Sequence, residues 1–310
     1  MKLAGIDIGS NAIRLLIEEV IEEGKKKPYF KKIALTRVPI RLGEDVFGDG
    51  KISEEKADKL EKALLAFKYL MYVHGVKNFR ACATSAMREA ANGKEIIKVI
   101  KAKTGIELEL ITGKEEADLI MNNFFTSGFD NTKTYLYIDV GGGSTEVSLI
   151  KNNKRITSNS FKLGTVRILS NKVKPKEWED ARKWVASATK GEKGITAIGT
   201  GGNINRIFKE SHHGFQESIS YGEIKEIVNY IESFSLEERI KKLNLKPDRA
   251  DVIIPAGHIY LALMESAEIE TMVVPKVGLS DGMIFNMYQK LSLHKNHKSA
   301  GIISYDSLNL

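Results

Sequence analysis

The chain has 310 residues, with 47 Lys and Arg against 40 Asp and Glu, a formal charge of +7 at pH 7. A 42% apolar share beside 28% charged residues supplies buried cores under a solvated surface and excludes a disordered chain; the length suits two domains of about 100–200 residues each. The single cysteine, Cys82, excludes an internal disulfide framework and argues against a Cys-based zinc site. No apolar run approaches the roughly 18 residues of a membrane span and no secretory signal is visible, so the expectation is a soluble cytoplasmic protein.

In chain order, residues 3–8, 12–21 and 29–42 read as three strands, with Gly24 and the following lysines as a hairpin turn. Residues 43–50 read as a polar, Gly-rich loop. Ser53 is a helix N-cap with Glu54 and Glu55 in the first turn, and an apolar stripe at helical spacing runs to His74, where Gly75 stops it. A strand at 79–83, a helix at 87–103 broken near Asn92-Gly93, a strand at 107–111 and a helix at 114–127 then alternate, which implies a partly parallel sheet. The second half opens with strands at 135–140, 146–150 and 155–163. A helix at 178–189, a strand at 195–198 and a helix from 204 follow. From Ser220 the chain is mostly helical, with one late strand at 272–274; the tail after Leu293 shows no pattern.

The two halves start alike. Ile6-Asp7-Ile8-Gly9-Ser10-Asn11 matches Ile138-Asp139-Val140-Gly141-Gly142-Gly143-Ser144-Thr145, a duplication signal that places a domain boundary near residues 125–133 and gives domains of 1–127 and 128–310, the last helix able to pack back on the first domain. The fold class is α/β, with two related domains.

The chemistry sits in the turns. Gly141, Gly142 and Gly143 after an apolar strand let backbone N–H groups approach phosphate oxygens without a Cβ in the way, and Ser144 and Thr145 add hydroxyl donors. Asp139 ends the strand and Glu146 lies on the returning one; a hairpin brings both carboxylates to one side, where they suit Mg²⁺ held directly or through water. Gly9, Ser10 and Asn11 form the matching clamp, with Arg14 shortly after. Gly201 and Gly202 lie in a third Gly-rich turn, directly before a helix whose N-terminus favours anions; this turn is neither a Walker A loop nor G-x-G-x-x-G. Arg88, with Thr84 and Ser85 before it, is a candidate phosphate ligand through its guanidinium fork. Thr112 and Glu115 have capping-box spacing, which leaves Glu116 as the first-turn carboxylate able to take a proton from water. His212, His213 and His258 read as structural or solvated.

Together these segments resemble the actin-like ATPase superfamily and, within it, the exopolyphosphatase / guanosine pentaphosphate phosphohydrolase family. The resemblance is carried by Asp7-Ile8-Gly9-Ser10-Asn11, by Thr84-Ser85-Ala86-Met87-Arg88, by Gly113-Lys114-Glu115-Glu116, by the 139–146 turn, by Leu163-Gly164-Thr165-Val166-Arg167, by Gly199-Thr200-Gly201-Gly202 and by Gly278-Leu279-Ser280-Asp281-Gly282. It implies two actin-like (ribonuclease H-like) domains with the active site in the cleft between them, hydrolysis of a terminal phosphoanhydride bond, Glu116 as base, Asp139 and Glu146 as metal acids and Arg88 as phosphate ligand. It implies Mg²⁺ or another divalent cation, polyphosphate or guanosine pentaphosphate as substrate, a homodimer, and neither a nucleic acid polymer nor a membrane as partner. Two departures stand out. Ala12 replaces a serine that the family often has, and 310 residues leave no room for the helical C-terminal region of longer members. An actin-like kinase or ATPase and a non-catalytic polyphosphate or alarmone sensor are the competing readings.

Overall fold

The computed structural model describes all residues except 25–26, 125–128, 131, 215–216, 294–302, 305–307 and 309–310. Parts of the expected turn after Gly24, of the boundary segment 125–133 and of the tail after Leu293 therefore lie outside the described residues. The chain forms two compact units, Met1–Asn123 with Leu279–Leu310, and Phe124–Gly278. The first unit thus takes in residues 279–310, which the sequence assigns to the second domain with a last helix able to pack back on the first.

In the first unit, β1 (Lys2–Ile8), β2 (Ile13–Ile21) and β3 (Tyr29–Val38) form an antiparallel meander. Then come α1 (Leu42–Asp49), α2 (Glu54–His74), β4 (Asn78–Ala83), α3 (Ser85–Glu89), α4 (Gly93–Thr104), β5 (Glu109–Leu110) and α5 (Gly113–Phe124). Strand β4 lies parallel to β1, and β5 parallel to β4. The order β3-β2-β1-β4-β5 is that of an actin-like, ribonuclease H-like sheet.

The second unit repeats it. β6 (Thr134–Val140), β7 (Thr145–Lys151) and β8 (Lys154–Phe161) are antiparallel neighbours. They lead into α6 (Thr165–Leu169), α7 (Pro175–Ala188), β9 (Thr196–Thr200), α8 (Gly202–Glu210), β10 (Ser218–Ser220), α9 (Tyr221–Glu232), α10 (Leu236–Lys241), α11 (Pro247–Ala250), α12 (Ile253–Ser266) and β11 (Thr271–Val273). The order β8-β7-β6-β9-β11 matches the first sheet, with β10 added at the far edge. The chain then enters α13 (Leu279–Leu293) and β12 (Ile303–Ser304), which pairs with β4.

Several elements differ from the sequence expectation. The strand expected to reach residue 42 stops at Val38, and the expected loop at 43–50 is helix α1. Three glycines and three acids make that segment read as a loop, yet Leu42, Val46 and Phe47 share one buried face, and Arg41 starts the helix from a left-handed backbone (φ 57°). Burial of that face overrides weak local propensity. The strand expected at 107–111 shrinks to two residues, and α6 and β10 carry no signal long enough to read. By contrast Ser53 accepts from the Lys56 N–H, Gly75 closes α2 in the left-handed region, and the expected break at Asn92-Gly93 separates α3 from α4.

Helix α13 is fixed by packing. Ile284 and Met287 join Leu3, Leu16 and Val20 in one buried cluster. The helix carries Asp281 to Lys32 of β3, with Lys32 Nζ 2.5 Å from Asp281 Oδ1. Glu18, directly opposite Lys32 across β2 and β3, is 3% exposed. Burial pushes its carboxyl up to about 7, the Asp281 charge adds to this, and Lys32 opposes both. In the unfolded chain this group titrates near the ordinary 4.5, so protons bind the folded state more tightly. Its contribution to stability is complete below about pH 4.5 and disappears as pH rises through about 7. The expected loss is on the order of 3 kcal/mol, at about 1.4 kcal/mol for each pKa unit. Urea unfolding at pH 5 and pH 8 should show a smaller difference for Glu18→Gln than for the wild-type chain; equal differences would remove Glu18 from this role.

Among the described residues no helix is long and apolar enough to cross a membrane.

Candidate active site

Four-residue turns join β1 to β2 and β6 to β7, and the two are built alike. In the first, the Gly9 N–H donates to the Ala12 carbonyl at 3.2 Å; in the second, the Gly141 N–H donates to the Ser144 carbonyl at 2.9 Å. Each turn is tied to the start of the helix that follows its third strand. The Ser10 and Asn11 carbonyls accept from the Gly43 and Arg41 N–H groups, at 2.8 and 3.0 Å. The Gly141 carbonyl accepts from the Thr165 N–H at 3.1 Å, and the Gly142 carbonyl from Val166 and Arg167, at 2.8 and 3.1 Å. Arg167 Nε completes the set on the Gly143 carbonyl at 2.8 Å. The segment expected to be a loop is therefore α1, the first unit's counterpart of α6.

These ties aim the backbone. A trans peptide sets its C=O and N–H on opposite sides, and among the described residues no peptide bond is cis. Three carbonyls held against α6 and Arg167 therefore turn the N–H groups of Gly142, Gly143 and Ser144 away from that helix. Consecutive N–H groups pointing one way form an anion-binding concavity. The Gly141 N–H is spent inside the turn, so the donors run from Gly142 to Ser144 and not from Gly141 to Gly143. Gly164 makes the close approach possible: a Cβ there would lie 2.5 Å from the Gly142 oxygen and 2.6 Å from its carbonyl carbon.

Side chains follow from strand register. Residues directly opposite one another in a sheet project from the same face. In the second unit Asp139 pairs with Glu146 across the hairpin, Glu146 with Ser160 on β8, and Asp139 with Thr200 on β9. The row is Thr200-Asp139-Glu146-Ser160. Ser144 Oγ and Ser160 Oγ both donate to Glu146 Oε1, at 2.7 and 2.8 Å, and fix its orientation. Thr145 is wholly buried, and its hydroxyl donates to the Leu163 carbonyl at 2.5 Å, so it anchors the turn. A cavity of about 500 Å³ opens beside Ser160, between β8 and α7, against Phe161 and Trp184.

In the first unit the corresponding row is Cys82-Asp7-Arg14-Arg37. Arg14 Nη1 lies 2.5 Å from Asp7 Oδ2, so this guanidinium, expected on phosphate, holds the neighbouring carboxylate. The Ser10 hydroxyl is buried against that of Ser85 at 2.8 Å. Arg88 Nη1 donates to the Ile111 carbonyl at 2.5 Å and so braces the chain just ahead of α5. There the expected capping box is present. Thr112 N–H and Oγ1 donate to Glu115 Oε2, at 2.7 and 2.9 Å, and Thr112 Oγ1 accepts from the Glu115 N–H at 3.2 Å. These Thr112 bonds hold the Glu115 carboxyl below its ordinary range. Glu116, half-buried, is the other acid of that first turn.

Two residues of the second unit escaped the sequence reading. Tyr260 of α12 is fully buried; its hydroxyl donates to the Thr200 carbonyl and accepts from the Val140 N–H at 3.2 Å, joining the ends of β6 and β9. Burial pushes its ionisation well above the ordinary range, and the charges of Asp139 and Glu146 add to this, so it stays a neutral donor. Arg249 of α11 reaches the start of α8, with Nη1 3.4 Å from Asn203 Oδ1. A tyrosine in an apolar helix and an arginine 46 residues beyond the turn give no local signal. Gly201 adopts φ +106°, and a Cβ there would meet Asp139 Oδ1 at 3.2 Å; this glycine and Gly202 bring the start of α8 beside the acidic row. His213 and His258 bond Glu223 and Glu232, at 2.7 and 3.2 Å.

The acidic row fits a divalent cation by its donor chemistry. Two carboxylates set opposite each other on one sheet face offer hard oxygen ligands, the kind Mg²⁺ takes in ones and twos beside water and substrate phosphate. Among the described residues no group of three or more His, Cys, Asp or Glu side chains is placed to hold a metal.

Comparison with known proteins agrees with this architecture. The chain is 25% identical over 304 residues to exopolyphosphatase 1 of Mycobacterium tuberculosis, covering 92% of this chain and 87% of that one. It is 24% identical over 307 residues to the guanosine-5'-triphosphate,3'-diphosphate pyrophosphatase of Photobacterium profundum, covering 94% of this chain and 60% of that one. The crystal structure of the Aquifex aeolicus member of the Ppx/GppA protein family superposes with a TM-score of 0.74 at 26% identity, covering 96% of this chain and 99% of that one. Residues 20–291 match the model of the Ppx/GppA phosphatase family, and the chain belongs to that family.

Proposed function

We propose that this chain, one of a family of phosphoanhydride hydrolases, removes the terminal phosphate from inorganic polyphosphate or guanosine pentaphosphate. The observation that carries the reading is the turn at 141–144. Its carbonyls are tied back, its N–H groups point the other way, and the opposed Asp139 and Glu146 carboxylates stand next to it. The N–H groups of Gly142, Gly143 and Ser144 bind the terminal phosphoryl oxygens. Asp139 and Glu146 would hold Mg²⁺, which when bound neutralises phosphoryl oxygens as charge builds on them. Ser144 and Ser160 keep Glu146 oriented. Glu116 orients the attacking water and takes its proton, and Arg88 positions the entry to α5 on which Glu116 sits. Phosphoryl transfer needs little covalent work from a protein; positioning and charge stabilisation carry it. Gly9, Ser10, Asn11, Gly201 and Gly202 belong to the phosphate-handling turns of the same reading. Magnesium as the cation, a cytoplasmic location and a homodimer belong to it as well.

A phosphate-release panel tests it. Short and long polyphosphate, guanosine pentaphosphate and ATP are compared with Mg²⁺ and with EDTA. Metal-dependent release from polyphosphate or guanosine pentaphosphate, exceeding that from ATP, is expected. Phosphorylation of an added acceptor by ATP would favour a kinase, and tight polyphosphate binding without release would favour a sensor.

A further inference from the structure

The cavity between β8 and α7 has a volume of about 500 Å³, the size of a small-molecule site. β8 is the end strand of its sheet, and successive residues of a strand project to opposite faces. Ser160 and Phe161 therefore border the cavity from the two sides of the sheet edge. The other wall is one face of α7, where Glu177, Asp180 and Trp184 follow at helical spacing.

Trp184 is half-buried: it packs on the hydrophobic core of the unit and also borders the cavity. It meets the Phe161 ring edge-on, with centroids 5.9 Å apart and planes at 67°. The two rings do not stack, so the indole surface on the cavity side is a platform for a flat ring. Stacking on an aromatic side chain suits any nucleobase; the polar groups beside the platform choose among them. Asp180 is exposed and lies one helical turn before Trp184 on the same face. A carboxylate only accepts, through two oxygens. Guanine offers it two adjacent donors, N1–H and N2–H, whereas adenine offers one donor beside a lone pair. Lys162, exposed on the opposite wall, is a cation of the kind that serves guanine O6. Lys183 is already engaged by Glu179 at 2.5 Å.

The cavity also adjoins the turn that takes phosphate. Ser160 Oγ at its rim and Ser144 Oγ in the turn both donate to Glu146 Oε1. One strand spacing, about 4.8 Å, separates β7 from β8, a gap that the ribose and inner phosphates of a nucleotide can cross. We propose that this cavity is a guanine subsite: Trp184 stacks on the base, Asp180 accepts from its N1–H and N2–H, and Lys162 donates to its O6. Inorganic polyphosphate has no ring to place there, so the subsite favours guanosine pentaphosphate as the substrate. The inference rests on the hydrolase reading for its phosphate end, and binding is measured apart from turnover.

Trp178→Phe leaves Trp184 as the one indole of the full-length chain. Its fluorescence is titrated with GDP, ADP and tripolyphosphate in Mg²⁺. GDP should quench the emission and bind at least tenfold more tightly than ADP, and tripolyphosphate should leave the emission unchanged. Asp180→Asn in the same background should bring the GDP and ADP affinities to within about twofold, because the amide presents a donor where guanine needs an acceptor. Emission that GDP leaves unchanged, equal affinities for GDP and ADP, or a GDP preference that survives Asp180→Asn would each overturn the subsite. So would quenching by tripolyphosphate as strong as that by GDP. Should Trp178→Phe fail to fold, calorimetric titration of the wild-type chain and of Asp180→Asn with the two nucleotides decides by the same affinity ratios. GDP binding as expected, with no phosphate released from guanosine pentaphosphate, would overturn the hydrolase reading and uphold the subsite.

Discussion

Glu116→Gln is expected to lower phosphate release by about 10²–10⁴-fold, the usual share of a positioned general base, while substrate binding and the melting temperature stay near wild type. The amide keeps the size of the side chain and loses only the ability to accept a proton. The helix beneath it is anchored independently, by Ala117 and Ile120 in the core and by the Thr112–Glu115 box at its start. The neighbouring acid supplies the contrast. Glu115 already accepts two hydrogen bonds from Thr112, so Glu115→Ala should cost about 1 kcal/mol of stability through the lost cap and leave turnover largely intact. Steady-state phosphate release and urea unfolding of both variants check this. Near-wild-type turnover in a well-folded Glu116→Gln would remove Glu116 from its role.

Gly164→Ala is expected to damage both stability and turnover. The added methyl would sit 2.5 Å from the Gly142 oxygen and 2.6 Å from its carbonyl carbon, closer than any relaxed contact. The atoms it meets are backbone, so no flexible side chain can swing away. Either α6 or the 141–144 turn must move. Overpacking of this kind costs about 1–3 kcal/mol, and a shift of about 1 Å in a positioning turn can cost roughly a hundredfold in rate. Gly48→Ala is the matched control. A Cβ there meets nothing within 4 Å, and alanine is the better helix former, so α1 should gain up to about 1 kcal/mol. Equal turnover in Gly164→Ala and wild type would show that the turn tolerates displacement from α6.

The three Gly-rich turns, the acids Asp139 and Glu146 and the capping box at Thr112 were legible because each depends on residues within eight positions of one another. Local chemistry of that kind leaves a pattern in the chain. Helix α1 was not legible, since its reason for forming is the burial of Leu42, Val46 and Phe47, while its own residues favour a loop. Tyr260 and Arg249 act on turns 60 and 46 residues away, and no spacing rule connects such pairs. Arg14 is legible beside a phosphate-type turn, whereas its pairing with Asp7 was decided by the strand register.

Read by itself, the chain established the duplicated plan, the α/β class and the acids and glycines of each turn, because these are properties of short segments with strong local preferences. Tertiary structure decided which way the turn N–H groups point, since the tethering partners come from α6 and Arg167. It also decided which charges face one another across each hairpin, since one residue of slip in a strand sends every side chain to the opposite face.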